Sequence, residues 1–323
     1  MNRWILFLVV VMSTAAMGSP DTANWMESLY EHQPDHRLKD VIIPGTHNSG
    51  TDEMTSDSAK SSDLSGALRA APRGAIKAWS KTQNHGVYQS LLHGIRYLDL
   101  RVEEDRGTWW TYHGLRSNSL TSVLDQIGRF AKSHRREIVI VDFQSMIGFP
   151  SVAPLVSYME HHPGLGERLI PHDATDDVTF KTLWQMDRNI LIMMNQATGS
   201  DMIWPRHIHN PWPNTRHSDR VMEALKNQIK IRPTRGFYVS QAIVTPDAHV
   251  ITTGWLGGVK SLEDMARKWM NPEYQSFIPE LNRIARTAGS SLNIVIADFY
   301  EYGDFVATCL RQNQRNLDAT RAH

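Results

Sequence analysis

Two histidines, with an arginine between them, carry the chemistry that this chain could perform. His47 follows an apolar run and a Pro-Gly break, in Val41-Ile42-Ile43-Pro44-Gly45-Thr46-His47-Asn48-Ser49. Arg101 ends a second apolar run, Gly94-Ile95-Arg96-Tyr97-Leu98-Asp99-Leu100-Arg101, and His113 comes twelve residues later in Tyr112-His113-Gly114. Imidazoles gain and lose protons near neutral pH, so one can take a proton from a nucleophile while another gives one to a leaving group. A guanidinium grips two phosphoryl oxygens in its planar fork. Together these are the parts that phosphodiester cleavage needs when no metal is involved. Asp99 and Arg101 stand at i, i+2 and share one face of an extended strand.

Such side chains need a frame that brings them to one place. Runs dense in Val, Ile and Leu recur at 41–43, 95–102, 138–143, 190–194, 237–241 and 293–298. They lack polar alternation, which predicts strands buried on both faces, as in a parallel sheet. Helical spacing lies between several of them: Leu120, Val123, Leu124, Ile127 and Ala131 form one stripe over 120–132. Segments 261–270 and 304–313 read the same way. Two stretches read as irregular. Thr51 to Gln83 is polar and follows the first histidine, as a lid or a decoration. Trp204 to Pro213 holds three prolines and predicts an ordered loop whose tryptophans cover the flank of the fold or touch a bilayer. Trp109-Trp110 is the better candidate for that membrane contact.

Segments 45–51, 94–102 and 112–114, in that order and at those distances, resemble the X-domain of phosphatidylinositol-specific phospholipase C, in particular its small bacterial members and the X-domain-containing proteins of animals. Segments 137–144 and 293–299 are similar to two later strands of that family, and the resemblance runs from about Trp25 to Asn313. It implies an α/β fold: a TIM-type (β/α) barrel, regular or irregular, as a single catalytic domain over 22–318. About 250 residues suffice for such a barrel, and its active site lies at the strand C-termini.

The resemblance also implies roles. His47 is the base that takes the proton of the inositol 2-hydroxyl, His113 the acid that protonates the departing diacylglycerol oxygen, and Arg101 the phosphate clamp. The product is an inositol 1,2-cyclic phosphate, which the same pair hydrolyses slowly with roles reversed. Asp99 belongs to the site, relaying a proton or orienting Arg101, with an ion pair to Arg101 or Arg96 as the alternative. Asp298 fixes the tautomer of His47, with a helix cap as its alternative. Gln144 stands where relatives have a substrate-contacting lysine or a calcium-binding glutamate, while Asn195 and Gln241 end later strands and are expected to face the inositol.

The chain departs from the family's patterns at Asn48 and Arg101. Metal-independent bacterial members have an aspartate at the position of Asn48; its loss leaves His113 without that carboxylate and lowers its imidazolium pKa. Calcium-dependent members share the asparagine but have acidic residues at the positions of Asp99, Arg101 and Gln144. A calcium ion wants six to eight oxygens and several negative charges, and Arg101 is a fixed positive one. No cofactor is therefore expected, with calcium as the alternative. Two other functions compete. One is a lipid-binding barrel with little or no turnover. The other is a metal-dependent phosphodiesterase of the glycerophosphodiesterase or sphingomyelinase D type, whose Glu-x-Asp pattern is replaced here by Asp99-Leu100-Arg101.

Composition narrows the partners. The chain of 323 residues has 34 basic and 34 acidic side chains, which argues against nucleic acid and against a broadly basic membrane face. The expected partner is a phospholipid met at a membrane surface by peripheral contact, and the expected state is a monomer. Met1-Asn2-Arg3, the apolar Trp4–Met12 and Ala16-Met17-Gly18 before Ser19 read as a signal peptide over 1–18, hence a secreted protein. That apolar run is shorter than the roughly 20 residues of a membrane span. Cys309 is the sole cysteine, so stability must come from the core rather than from an internal disulfide.

Overall fold

The computed structural model of the protein describes residues 21–172, 177–233 and 235–321. The leader expected over 1–18 lies outside them. The strands are β1 (Ile43–Thr46), β2 (Tyr97–Asp105), β3 (Thr108–His113), β4 (Leu115–Ser119) and β5 (Val139–Ile147). They continue with β6 (Ile190–Met194), β7 (Ile203–Pro205), β8 (Ile208–His209), β9 (Phe237–Gln241) and β10 (Ile294–Ala297). All but β3 and β4 form a parallel sheet in the order β7-β6-β5-β2-β1-β10-β9-β8. Helices pack around it, and the fold is the expected α/β barrel in a curled, irregular form. All six predicted apolar runs fall on strands, the first of them only at Ile43. Every residue of β1, β6, β9 and β10 is buried; β6 and β10 are apolar throughout, as burial on both faces requires, while β1 and β9 end in the polar Thr46 and Ser240-Gln241. The predicted stripe on 120–132 lies on the helix Leu120–Ser133 and is fully buried.

The sheet closes where the sequence reading placed a loop. The two ends of the sheet, β7 and β8, are successive pieces of the one segment 203–209. Its first part pairs with β6 and its second with β9; the Arg206 amide donates to the Met194 carbonyl, and the Phe237 amide to the His207 carbonyl. Pro205 is tolerated because it ends β7, where the next residue supplies the donor that proline lacks. Trp204 is buried against this flank with its indole N–H on the Ile170 carbonyl, whereas Trp212 is exposed. Trp109 and Trp110 are half-buried, and Trp109 packs edge-on against Tyr158.

Strand β2 outruns its neighbour β1, and that excess builds the upper wall of the site. While Arg101 to Glu103 stay paired with β5, the other edge of its last residues pairs antiparallel with β3, with Val102 opposite Thr111 and Asp105 opposite Thr108. The two-residue turn between them has positive φ at Arg106 (51°) and Gly107 (77°), a type I′ geometry that fits the twist of a hairpin. The return strand therefore carries His113 back toward the barrel mouth. Strand β4 pairs with β3 in turn, and the chain at 59–62 is tied along it: Arg116 N–H donates to the Ala59 carbonyl and Ser61 N–H to the Gly114 carbonyl. So Thr51 to Gln83 is neither loose nor decorative. It holds the helices Gly66–Ala70 and Arg73–Ser80, and a small hydrophobic cluster of Met54, Ile76 and Leu115, separate from the main core, fixes it to the hairpin.

Candidate active site

His47 leaves the end of β1, with its amide on the Ala297 carbonyl, and Asp298 leaves the end of the adjacent β10. Their side chains meet: His47 Nδ1 lies 2.9 Å from Asp298 Oδ1, and both residues are buried. Asp298 thus makes with His47 Nδ1 the contact that the resemblance implies. Its turn is held by Asn271, whose amide donates to the Asp298 and Phe299 carbonyls. On the other neighbour of β1, β2 supplies Asp99 and Arg101. His113 arrives from the hairpin, with its ring centroid 5.9 Å from that of His47 and the planes at 70°.

Each histidine is fixed through Nδ1. His113 Nδ1 is 2.7 Å from the Ser80 carbonyl, which can only accept, so Nδ1 carries the proton and Nε2 is the exchanging atom. Gly114 makes this contact possible. A Cβ there would stand 3.0 Å from Ser80 Oγ and 3.1 Å from Ile76, and its φ of 72° suits glycine. With Asp298 on His47 Nδ1, both rings present Nε2, close enough together to address the oxygens of one phosphoryl group.

Several buried polar atoms at this end of the barrel make no hydrogen bond within the protein. They are both amide atoms of Asn48, Asp99 Oδ1, Arg101 Nε and Asp298 Oδ2. Buried groups are nearly always paired, so such a concentration marks a place shaped for a polar ligand. Asn48 adopts φ 43°, a left-handed conformation that asparagine tolerates. Its backbone N–H reaches Asp99 Oδ2 only at 3.5 Å. Asp99 forms no ion pair with Arg101, and Arg96 is engaged elsewhere with Glu137, so the ion-pair alternative for Asp99 fails.

Burial sets the electrostatics. It pulls the His47 pKa down to about 4; the Asp99 charge opposes this and Arg101 reinforces it. It pulls His113 down to about 3, reinforced by Arg101 and His47 and opposed by the Ser80 carbonyl. Burial likewise raises Asp99, and raises Asp298 well above the usual carboxylate range. A phosphodiester anion set against Arg101 and His113 works in the opposite direction and favours imidazolium at His113.

The remaining predicted residues are placed differently. Gln144 is the extra residue of a bulge in β5: Leu100 pairs with Phe143 and Arg101 with Ser145, leaving it unopposed and half-buried. Gln241 ends β9 next to β10, but its amide N–H is committed to the Asn210 carbonyl. Asn195 follows β6 and is exposed, with no part in the hydrogen bonds of the cluster.

Sequence reasoning missed the shell that holds the histidines. Just beyond helix Arg73–Ser80, Thr82 donates its hydroxyl to the Asn48 carbonyl, and its own carbonyl accepts from Phe299 N–H. Gln83 spans the His47 and Ala297 carbonyls with one amide group. Below the site, Asp142 accepts two bonds from Arg206 and one from Tyr97 Oη. The only local signal for these was a polar run after a helix and one aspartate in an apolar strand.

Known proteins similar to this chain agree on its class. The family description phosphatidylinositol-specific phospholipase C, X domain, matches residues 75–196, a span containing Asp99, Arg101 and His113 but not His47 or Asp298. Human PI-PLC X domain-containing protein 2 is 30% identical over 260 residues, 76% of this chain and 85% of that protein. Human PI-PLC X domain-containing protein 3 is 26% identical over 315 residues, 90% of this chain and 93% of that protein. A solved phosphatidylinositol-specific phospholipase C from Staphylococcus aureus shares the fold with a TM-score of 0.62 at 17% identity, covering 90% of this chain and 97% of that one. The chain belongs to the phosphatidylinositol-specific phospholipase C X-domain family.

Proposed function

We propose that this protein cleaves phosphatidylinositol-type lipids by metal-independent acid–base catalysis, and the observation that carries the reading is the pair of Nδ1-anchored imidazoles flanking Arg101. The inositol 2-hydroxyl loses its proton to His47 Nε2 and its oxygen bonds to phosphorus. The bond from phosphorus to the diacylglycerol oxygen breaks, and His113 Nε2 delivers a proton to that oxygen. Inositol 1,2-cyclic phosphate and diacylglycerol result. Arg101 neutralises the charge that builds on the phosphoryl oxygens. Asp298 holds His47 in the tautomer that leaves Nε2 basic, and Asp99 and Asn48 offer free polar atoms to the head group.

Calcium does not fit this donor set. Asp298 is spent on His47, Arg101 sits beside Asp99, and among the described residues no three His, Cys, Asp or Glu side chains are placed to hold a metal. The same argument disfavours the glycerophosphodiesterase-type alternative. Contact with the lipid surface is assigned to a rim of exposed apolar side chains, Leu68, Ile251, Trp255 and Leu256, and not to Trp109-Trp110. One structure of the S. aureus enzyme concerns modulation of its membrane binding, a property in keeping with this assignment. Secretion rests on the leader over 1–18, and N-terminal sequencing of protein from the medium should begin at Ser19.

The test of activity is release of water-soluble inositol cyclic phosphate from phosphatidylinositol vesicles in EDTA. Wild-type release that disappears in His47→Ala is expected. No release with either EDTA or calcium would sink the reading in favour of a lipid-binding barrel.

A further inference from the structure

Beside the reacting groups lies a cavity of about 380 Å³ with two chemically different ends. Arg101, His113 and Ser80 form its inner end, and His47 is not part of its wall. The rest is mostly apolar, walled by Leu64, Leu68, Ile76, Trp79, Pro246 and Ile251, with Asp63 and Ser65 the polar residues among its other lining groups. Leu68 and Ile251 are 58% and 40% exposed, so the cavity opens between them. Ile76 is anchored in the small cluster with Met54 and Leu115, which makes this wall a fixed part of the fold.

We infer that this cavity is a leaving-group subsite that takes a single apolar chain, so that single-chain phosphodiesters dispersed as monomers are substrates in their own right. The inference rests on the proposed chemistry. His113, as the acid, must stand on the leaving-group side of phosphorus, and the cavity begins at His113. A cation and an imidazole at one end with apolar walls beyond them complement an amphiphilic anion: phosphoryl inside, hydrocarbon outside. The volume selects one chain over two. At roughly 30 Å³ for a group the size of a water or methylene, it holds about a dozen such groups. That suits a glycerol and the start of one chain, or one short alkyl chain.

The test is a series of inositol 1-alkyl phosphates, from methyl to octyl, each assayed below its micelle concentration and in EDTA. Each buried methylene is worth up to about fourfold in binding. Wild-type kcat/KM is expected to rise with chain length, reaching an octyl-to-methyl ratio of about 30 or more. Ala75→Trp and Leu68→Glu change exposed lining positions, so neither disturbs the core. In both, the ratio, measured within each variant, is expected to fall at least fivefold. Methyl ester turnover with a ratio near one would overturn the subsite while leaving the proposed reaction standing. A high ratio that survives both substitutions would place chain recognition elsewhere and overturn it too. Absence of turnover for every ester would overturn the proposed reaction, and the subsite with it.

Discussion

Arg96 and Arg101 stand five residues apart on either side of the start and middle of one strand, yet their surroundings are opposite. Arg96 lies at the N-terminal end of β2 and is fully buried. Its guanidinium donates to Glu137 and to the Thr22, Ala23, Leu91 and Ile95 carbonyls. Glu137 completes the network by accepting from the Met26 and Glu27 amides, so this pair clasps the N-terminal segment to the floor of the barrel. Arg101 is half-buried at the other end, with a buried Nε that makes no bond and with neighbours Asn48, Asp99 and Asp298 in the same condition. A buried charge without full pairing is costly to the fold. The satisfied pair is what stability requires; the unsatisfied group is where stability has been given up for binding. The same division, catalysis at strand C-termini and stability at the opposite face, holds for barrels of this type in general.

That contrast can be broken from either side. The largest effect should come from His47→Ala or His113→Ala. Each is expected to lower kcat/KM by about 10³-fold, within the range of general acid–base contributions, with little change in Tm. Calorimetry beside vesicle assays checks both halves of the statement. Arg96→Met should do the reverse. Stranding Glu137 in the floor costs about 3–5 kcal/mol of stability, while activity per folded molecule is retained. Denaturant titration measures the loss, and a loss below about 1 kcal/mol would erase the distinction between the two ends.

Smaller effects sharpen the picture of the catalytic end. Asp298→Asn replaces an acceptor-only carboxylate with an amide that can donate to His47 Nδ1, and a decrease of about tenfold or more in kcat is expected, from a wrong tautomer. The pH dependence has a definite sign. The base must be neutral, which holds above about 4, and the acid must be charged, although His113 is pulled down to about 3. On soluble esters, kcat/KM, which reports the free enzyme, should therefore fall about tenfold per pH unit from about pH 5 upward. The fall in kcat should begin at higher pH, since the bound phosphodiester stabilises imidazolium. A flat kcat/KM between pH 5 and 8 would contradict the lowered pKa of His113. The smallest effect is expected from Asn48→Asp, where an added carboxylate should raise the alkaline limb by about one unit or less.

The candidate catalytic set was readable because its members lie beside strong local signals. The part of a parallel strand that is buried on both faces is dominated by apolar residues, so β1, β2, β5, β6, β9 and β10 each fall on or beside a Val/Ile/Leu-rich run, and His47, Arg101 and His113 follow at recognisable distances. Segment 203–209 stayed hidden for a local reason as well. Proline argues against a strand, and only the junction of β6 with β9 lets Arg206 and His207 make the bonds in its place.

The sequence by itself determined the alternation of strand and helix, the order of the two histidines and the arginine, and the departure at Asn48. Only the tertiary structure decided which groups face one another. Asp298 meets His47 across 251 positions of chain, and Arg206 meets Asp142 across 64. Ser80 fixes the tautomer of His113 through a backbone carbonyl, an atom that every residue possesses. The apolar wall is assembled from helices near 66–80 and from 246–251, which share no local pattern. Periodicity and turn chemistry act over a few residues and can be read from them. Partner choice follows from which strands become neighbours, and that is settled by packing the whole barrel.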